Sequence, residues 1–394
     1  MAGRFLTPRA TALADDGFRD DLRAALADAV PPEIARRQRL NRRIDKAGLL
    51  AWQGWLRAQG WLAPDWPRAS GGEDWPPQRR FLLDEACALA GAPPVAAFGI
   101  GALGPLLQRF GTPDQREAWL PRILSGADLW CGDLTPDDRD AGGIELRRDG
   151  DDFVVTARRE AVAGMRHATM IACLLRSGPG EETTLLAIDL ATPGVTAQVV
   201  PMLDGSGDLA RLRLDAVRVP AGNRISATGG GRDCVDFLAA RGWPVLGAVA
   251  AAVAALEYLR DLAGMMHQDR ARLSRNPVFA AQLAEVEADV MALRTTALRL
   301  CARPAEAADR RQRAAMLRVV ERRVTRRLAE LRRLVFGPWN VAFPAQACDP
   351  LPLPSGLPEA AAASRGYVAS HLALLRGDDD DRLRDLIAAS LLEG

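Results

Sequence analysis

The chain is poor in several residue types that would mark common functional classes. Its 394 residues include three histidines, His167, His267 and His371, and six cysteines with no C-x-x-C pair. Zinc-ligand spacing is therefore absent, and no structural metal is expected. Net charge is also lacking, because 51 basic residues are balanced by 50 acidic ones to leave a formal charge of +1. No global field recruits nucleic acid or an anionic membrane. Lys46 is the only lysine, a skew towards arginine from which no function follows. The longest apolar run, Trp243 to Leu256, stops at Glu257, short of the roughly 20 residues that span a bilayer. The N-terminal segment MAGRFLTPRATALADDGFRDD intersperses charges and lacks the apolar core of a secretory signal. A cytoplasmic, reduced protein is the expectation.

What is present is an ordinary globular composition, with 48% hydrophobic and 26% charged residues. The length exceeds what one compact core accommodates and predicts two or three packed units. Up to Leu124 the apolar spacing is helical: Phe18, Leu22 and Leu26, then Leu49, Leu50, Trp52 and Leu56, then Phe81, Leu82, Ala86 and Ala90. Breaks are expected at Pro31-Pro32, across Gly60 to Pro77, and at Pro93-Pro94. Between Leu129 and Val219 the period falls towards two. A hairpin is predicted at Asp149-Gly150 leading into Phe153-Val154-Val155, with further strands at Ile171 to Leu175, Leu185 to Ile188, Val195 to Val200 and Leu212 to Val219. Helical spacing returns at Asp233 and continues, with a proline-rich break near Pro350, to Leu392.

These changes of period predict an α+β protein: a helical domain over residues 1–126, a β-sandwich or barrel-like domain over 127–232, and a helical bundle over 233–394. Strands enclosed by two helical blocks are not the βαβ alternation of a dinucleotide-binding fold. The run Gly229-Gly230-Gly231-Arg232 lacks the Lys-Ser/Thr of a phosphate loop and is expected to be a flexible connection. Between Asp309 and Val335 lie ten arginines beside an apolar stripe of Val320, Val324, Leu328, Leu331 and Val335. Glu321 and Glu330 interrupt the basic face and no aromatics interleave, so a bundle helix is expected rather than a nucleic-acid arm.

Several motifs, in order, resemble the flavin-dependent acyl-CoA dehydrogenase family. GWLAPDWPRASGGEDWPP (60–77) with LLDEACALAGAPP matches its P-x-x-x-G-G turn and following helix. FGTPDQREAWLPRILSGADLWCGDLTP (110–136) resembles the helix and strand that enter its β domain, and LLAIDLATPGVTAQVV and LRLDAVRVPAGNRI resemble later strands. The resemblance spans residues 50–390. It implies an acyl-CoA dehydrogenase fold, four-helix-bundle C-terminal domain included, that oxidises an acyl-CoA with FAD, a glutamate removing the α-proton while hydride leaves to the flavin.

At the two positions where the family carries that glutamate, the resemblance places Arg376 and Ala240. Neither accepts a proton. A slipped register offers Asp236 or Asp378 instead, although the aspartate run 378–381 is expected to be a solvated loop or helix start. The flavin-ring loop corresponds to Leu134-Thr135-Pro136-Asp137-Asp138-Arg139-Asp140, shortened relative to the family, and the segment that stacks on the ring corresponds to Ala161-Val162-Ala163-Gly164. Residues implied at the FAD diphosphate are Arg270, Arg272, Gln282 and Gly337. The resemblance extends to the degenerate subunit of heteromeric bacterial enzymes such as those of steroid side-chain degradation. It implies a homologous catalytic partner in a heterotetramer, with FAD at a site shared with or supplied by that partner. Two alternatives remain, a homomeric enzyme with a relocated carboxylate and a non-enzymatic protein on the same fold.

Overall fold

The computed structural model describes residues 16–42, 44–94, 98–134, 145–176, 183–202, 209–227, 229–268, 271–302, 307–338, 358–372 and 380–392. Six helices come first: α1 (Asp16–Ala27), α2 (Pro32–Arg39), α3 (Lys46–Ala58), α4 (Pro77–Leu89), α5 (Gly104–Phe110) and α6 (Pro113–Ser125). Seven strands follow: β1 (Trp130–Asp133), β2 (Glu145–Asp149), β3 (Asp152–Ala163), β4 (Met170–Arg176), β5 (Thr183–Asp189), β6 (Val195–Val199) and β7 (Leu209–Val219). Then come α7 (Gly231–Arg241), α8 (Trp243–Met265), the short strands β8 (His267–Gln268) and β9 (Ala271–Arg272), α9 (Pro277–Ala302), α10 (Ala307–Val335), α11 (Pro358–Leu372) and α12 (Asp380–Leu392).

Local chemistry sets these boundaries. Proline opens α2 and α4 at the first helical turn, where no intrahelical donor is lost. In α6 the Thr112 side chain accepts from the Gln115 backbone and the Thr112 backbone donates to the Gln115 side chain, a reciprocal capping box on a thirteen-residue helix that ends at the left-handed Gly126. The same Gln115 donates from Nε2 to the carbonyls of Gly222 and Arg224, both at 2.7 Å. One side chain thus starts a helix and ties it to the exit of the β domain.

The seven central strands form two sheets, β1-β4-β5 and β2-β3-β7-β6, and β8 pairs with β9 separately. The predicted hairpin is there, with Asp149 paired to Asp152 and Gly150 at φ +64°. In the second sheet burial alternates, because only one face meets the core. β4 and β5 are buried on both faces. Ile171, Cys173, Leu175, Leu186 and Ile188 face the sandwich core, whereas Ala172, Leu174, Leu185 and Ala187 face the helical core. That double burial explains why the sequence reads IACLL without alternation.

The helical core joins the two helical blocks through α4, which packs on α1, α8 and α9. The α7–α8 stretch Gly231–Met265 is long and apolar enough by composition to cross a membrane. Within the fold, α8 places Val249, Val253, Leu256 and Leu259 in the core shared with α4, α9 and α10. Two expectations are corrected. Gly231 is no flexible link: a Cβ there would lie 2.6 Å from Leu174 and 2.8 Å from the Thr183 carbonyl, so the chain needs glycine to approach β4 and β5. In α10 the buried stripe is Val324, Leu328, Leu331 and Val335, while Val320, one turn before Val324, is exposed.

Candidate active site

The last turn of α7 decides the character of the site. Ala240 precedes Arg241, and the helix ends at Gly242 in the left-handed conformation. Ala240 lines a cavity of about 390 Å³ between α4, α7, the start of α8, the end of α9 and the start of α10. Trp75, Phe81, Phe237 and Leu246 supply apolar wall. The polar wall consists of Asp65, Arg80, Asp84, Arg241 and Arg310, with Cys301 beside them.

These charges are organised around Arg80. Its Nη1 lies 2.7 Å from Asp65 and its Nε 3.2 Å from Asp84. Asp65 also accepts from Arg241 Nη2 at 2.9 Å, so a single carboxylate bridges α4 and α7. Burial raises the Asp84 carboxyl above its ordinary range, with Arg80 opposing and Asp65 adding to the rise. Arg80 is shared and gives Asp65 the shorter contact, so its pull on Asp84 falls short of the burial penalty. Burial lowers Arg241, Asp65 opposes this, and the neighbouring Arg310 and Arg80 lower it further. The Cys301 thiol is pushed up to about 12 by burial. Sequence reasoning missed Asp65, Asp84 and Arg310, since they come from three separate elements and share no motif.

The residues singled out in the sequence are dispersed. Arg376, Asp378, Thr135 and Arg270 lie outside the described residues. Asp236 faces α10 in an ion pair with Arg311 at 2.8 Å, and it is not among the cavity-lining groups. Asp381 is exposed in the first turn of α12, 2.9 Å from Arg384. Among the described residues no cluster suits a metal ion.

A flavin ring finds little to hold it along β3. Ala161 is exposed, Val162 is buried in the sandwich and Ala163 is half-buried, so this stretch offers only aliphatic groups before Gly164 turns the chain. On β1, Gly132 is covered by Phe98, whose ring lies 2.0 Å from where a Cβ would be. Asp133 at the end of β1 forms a buried ion pair with Arg159 of β3 at 2.5 Å. These residues do not fit a ring site of hydroxyl and aromatic contacts. The diphosphate candidates fit better: Arg272 is exposed on β9, Gln282 is half-buried near the start of α9, and Gly337 has φ +51° with open space around it. The β8–β9 hairpin that presents Arg272 was not legible in the sequence, because each strand has only two residues.

Comparison with known proteins supplies the context. Residues 14–127 match the model for the acyl-CoA dehydrogenase N-terminal domain. The N-terminal helical block is similar to that domain. Over 267 residues it is 28% identical to acyl-CoA dehydrogenase IpdE1 of Mycobacterium tuberculosis, covering 65% of this chain and 68% of that relative. It is 26% identical to acyl-CoA dehydrogenase FadE26 of the same organism, over 54% of this chain and 56% of that one. Among solved structures it resembles a chain of the ChsE4-ChsE5 complex from M. tuberculosis, with TM-score 0.77, 21% identity and coverage of 100% and 99% of the two chains. It also resembles the Tcur3481-Tcur3483 steroid ACAD, with TM-score 0.80, 19% identity and 98% coverage of each. The whole chain therefore has the acyl-CoA dehydrogenase fold.

Proposed function

We infer that this chain is the non-catalytic subunit of a heteromeric FAD-dependent acyl-CoA dehydrogenase that desaturates an acyl-CoA thioester, with a bulky steroid side chain as the candidate acyl group. The observation that carries this reading is Ala240 at the cavity wall, where the family resemblance expects a base, in a cavity whose two carboxylates are bound to arginines. A carboxylate paired with a guanidinium is a poor proton acceptor. Loss of a general base typically costs about 10² to 10⁴ in rate. The aliphatic segment at Ala161 to Ala163 agrees with FAD bound at a site shared with, or supplied by, a homologous catalytic partner. The resemblance to solved two-component assemblies supports a heterotetramer. Localisation in the cytoplasm goes with this reading.

A second reading rests on Asp84, which lines the same cavity and has its carboxyl raised by burial. A homomeric enzyme could use it as a relocated base, and a non-enzymatic protein on this fold would use no base at all. The separating experiment is purification of the chain alone and with the product of a neighbouring dehydrogenase-like gene, followed by flavin spectra and acyl-CoA-dependent dye reduction. Colour and turnover only on co-expression support the heteromer. A yellow, active single chain refutes it in favour of the homomer, and absence of flavin from both preparations refutes it in favour of the non-enzymatic protein.

A further inference from the structure

The cavity beside Ala240 holds a charge imbalance that its ion pairs do not cancel. Three guanidinium groups, Arg80, Arg241 and Arg310, surround one void that contains two carboxylates, Asp65 and Asp84. Asp65 is divided between Arg80 and Arg241, and Asp84 takes only Arg80. Arg310 has no ion pair among the described residues. Nη2 of Arg80, Nε of Arg241 and Nε of Arg310 are all buried without a hydrogen-bond partner among those residues. Arg80 as a whole is only 7% exposed. Three guanidinium groups against two carboxylates leave the lining of this void with an excess of positive charge, which an anion inside it would offset.

The void also has apolar wall, from Trp75, Phe81, Phe237 and Leu246. We propose that this cavity binds a small amphipathic carboxylate, its anionic end among Arg80, Arg241 and Arg310 and its apolar body against those four side chains. Guanidinium donors suit a carboxylate because its two oxygens accept in parallel. A fully hydrophilic anion such as phosphate would gain nothing from the aromatic wall. The volume of about 390 Å³ lies within the range of roughly 300 to 1,000 Å³ typical of small-molecule sites. The methyl group of Ala240 leaves this space open, whereas a glutamate there would enter it and supply an acceptor of its own. The site is a property of this chain and depends on neither flavin nor a catalytic partner.

Isothermal titration of the full chain, in complex with its partner if co-expression yields one, tests the proposal with 4-phenylbutyrate, 4-phenylbutyramide and inorganic phosphate as probes. Saturable binding of the carboxylate, at least about tenfold tighter than the amide and than phosphate, is the expected result. Arg310→Gln should weaken that binding at least about tenfold without changing the circular dichroism, since Arg310 makes no ion pair among the described residues. Ala240→Glu should abolish binding and raise the melting temperature by giving the arginines a partner. Equal binding of acid and amide, equal binding of phosphate, no binding, or full affinity in folded Arg310→Gln would each overturn it. A flavin-free complex would instead refute the heteromer and leave these titrations unaffected.

Discussion

Glu85 on α4 and Arg294 on α9 provide the sharpest test of how the two helical blocks are held together. Arg294 Nε lies 2.5 Å from Oε2 and Nη2 3.0 Å from Oε1, a bidentate pair whose side chains are 4% and 13% exposed for Glu85 and Arg294. Arg19 on α1 approaches the same carboxylate at 3.6 Å, so three elements meet on one buried anion. Glu85→Leu removes the acceptor and leaves the Arg294 guanidinium in a largely water-free site. Breaking a buried pair in this way costs about 3 to 5 kcal/mol. Replacing both partners, Glu85→Leu with Arg294→Met, also removes the desolvation penalty of the two charges. The double variant should then lie within about 1 kcal/mol of wild type, far below the sum of the two single-variant costs. Urea unfolding at fixed protein concentration, followed by tryptophan fluorescence, measures both values. Trp52, Trp55, Trp61 and Trp75 form a contiguous aromatic group in the N-terminal block and report on its release. A single variant within about 1 kcal/mol of wild type, or a double variant as costly as the two singles added, would show that the ion pair does not join the blocks.

Three further outcomes are expected. Gly104→Ala places a Cβ 1.9 Å from Trp66 Cζ2, a fully buried ring, and should cost at least about 1 to 3 kcal/mol in the same unfolding assay; unchanged stability would mean that the ring has room to move. Because burial holds Asp84 above its ordinary value of 3.8, the folded state binds that proton more tightly than the unfolded chain. Its contribution to stability is fully present below the unfolded value and is lost as pH rises through the folded one. The stability of wild type minus that of Asp84→Asn should therefore fall as pH increases above 3.8, and a flat or rising difference between about pH 4 and 7 would contradict it. Burial pushes the thiols of Cys131, Cys173 and Cys234 up to about 12, so iodoacetamide should label them at least about 100-fold more slowly in the native protein than in urea. Rapid native labelling at any of these three, mapped by mass spectrometry, would show local opening instead.

Much of the fold could be read from spacing alone. Leu22 and Leu26, Trp52 and Leu56, and Phe81 and Leu82 are all buried where helical periodicity placed them. The β strands followed from alternation, from the Asp149-Gly150 turn and from apolar runs such as IACLL. Local signals of this kind act over one turn or one pleat, so they survive in a single sequence. The cavity was far less legible. Ala240 was found because a family motif pointed to it, but Asp65, Asp84, Arg241 and Arg310 come from four places in the chain. Their distances apart in sequence carry no periodic signature. Gly231 was misread for a related reason, because its need for a missing Cβ arises from Leu174 and Thr183 on strands far from it in sequence.

The sequence by itself therefore determined the order of helices, strands and helices, the capped ends of α6, and the absence of a carboxylate at position 240. Each depends on residues within a few positions of one another. Only the tertiary structure decided that Asp236 is tied to Arg311, that Asp65 bridges Arg80 and Arg241, and that three arginines share a cavity with two aspartates. Those facts depend on long-range packing, which sets burial and the geometry of charge pairs, and hence what each ionisable group can do.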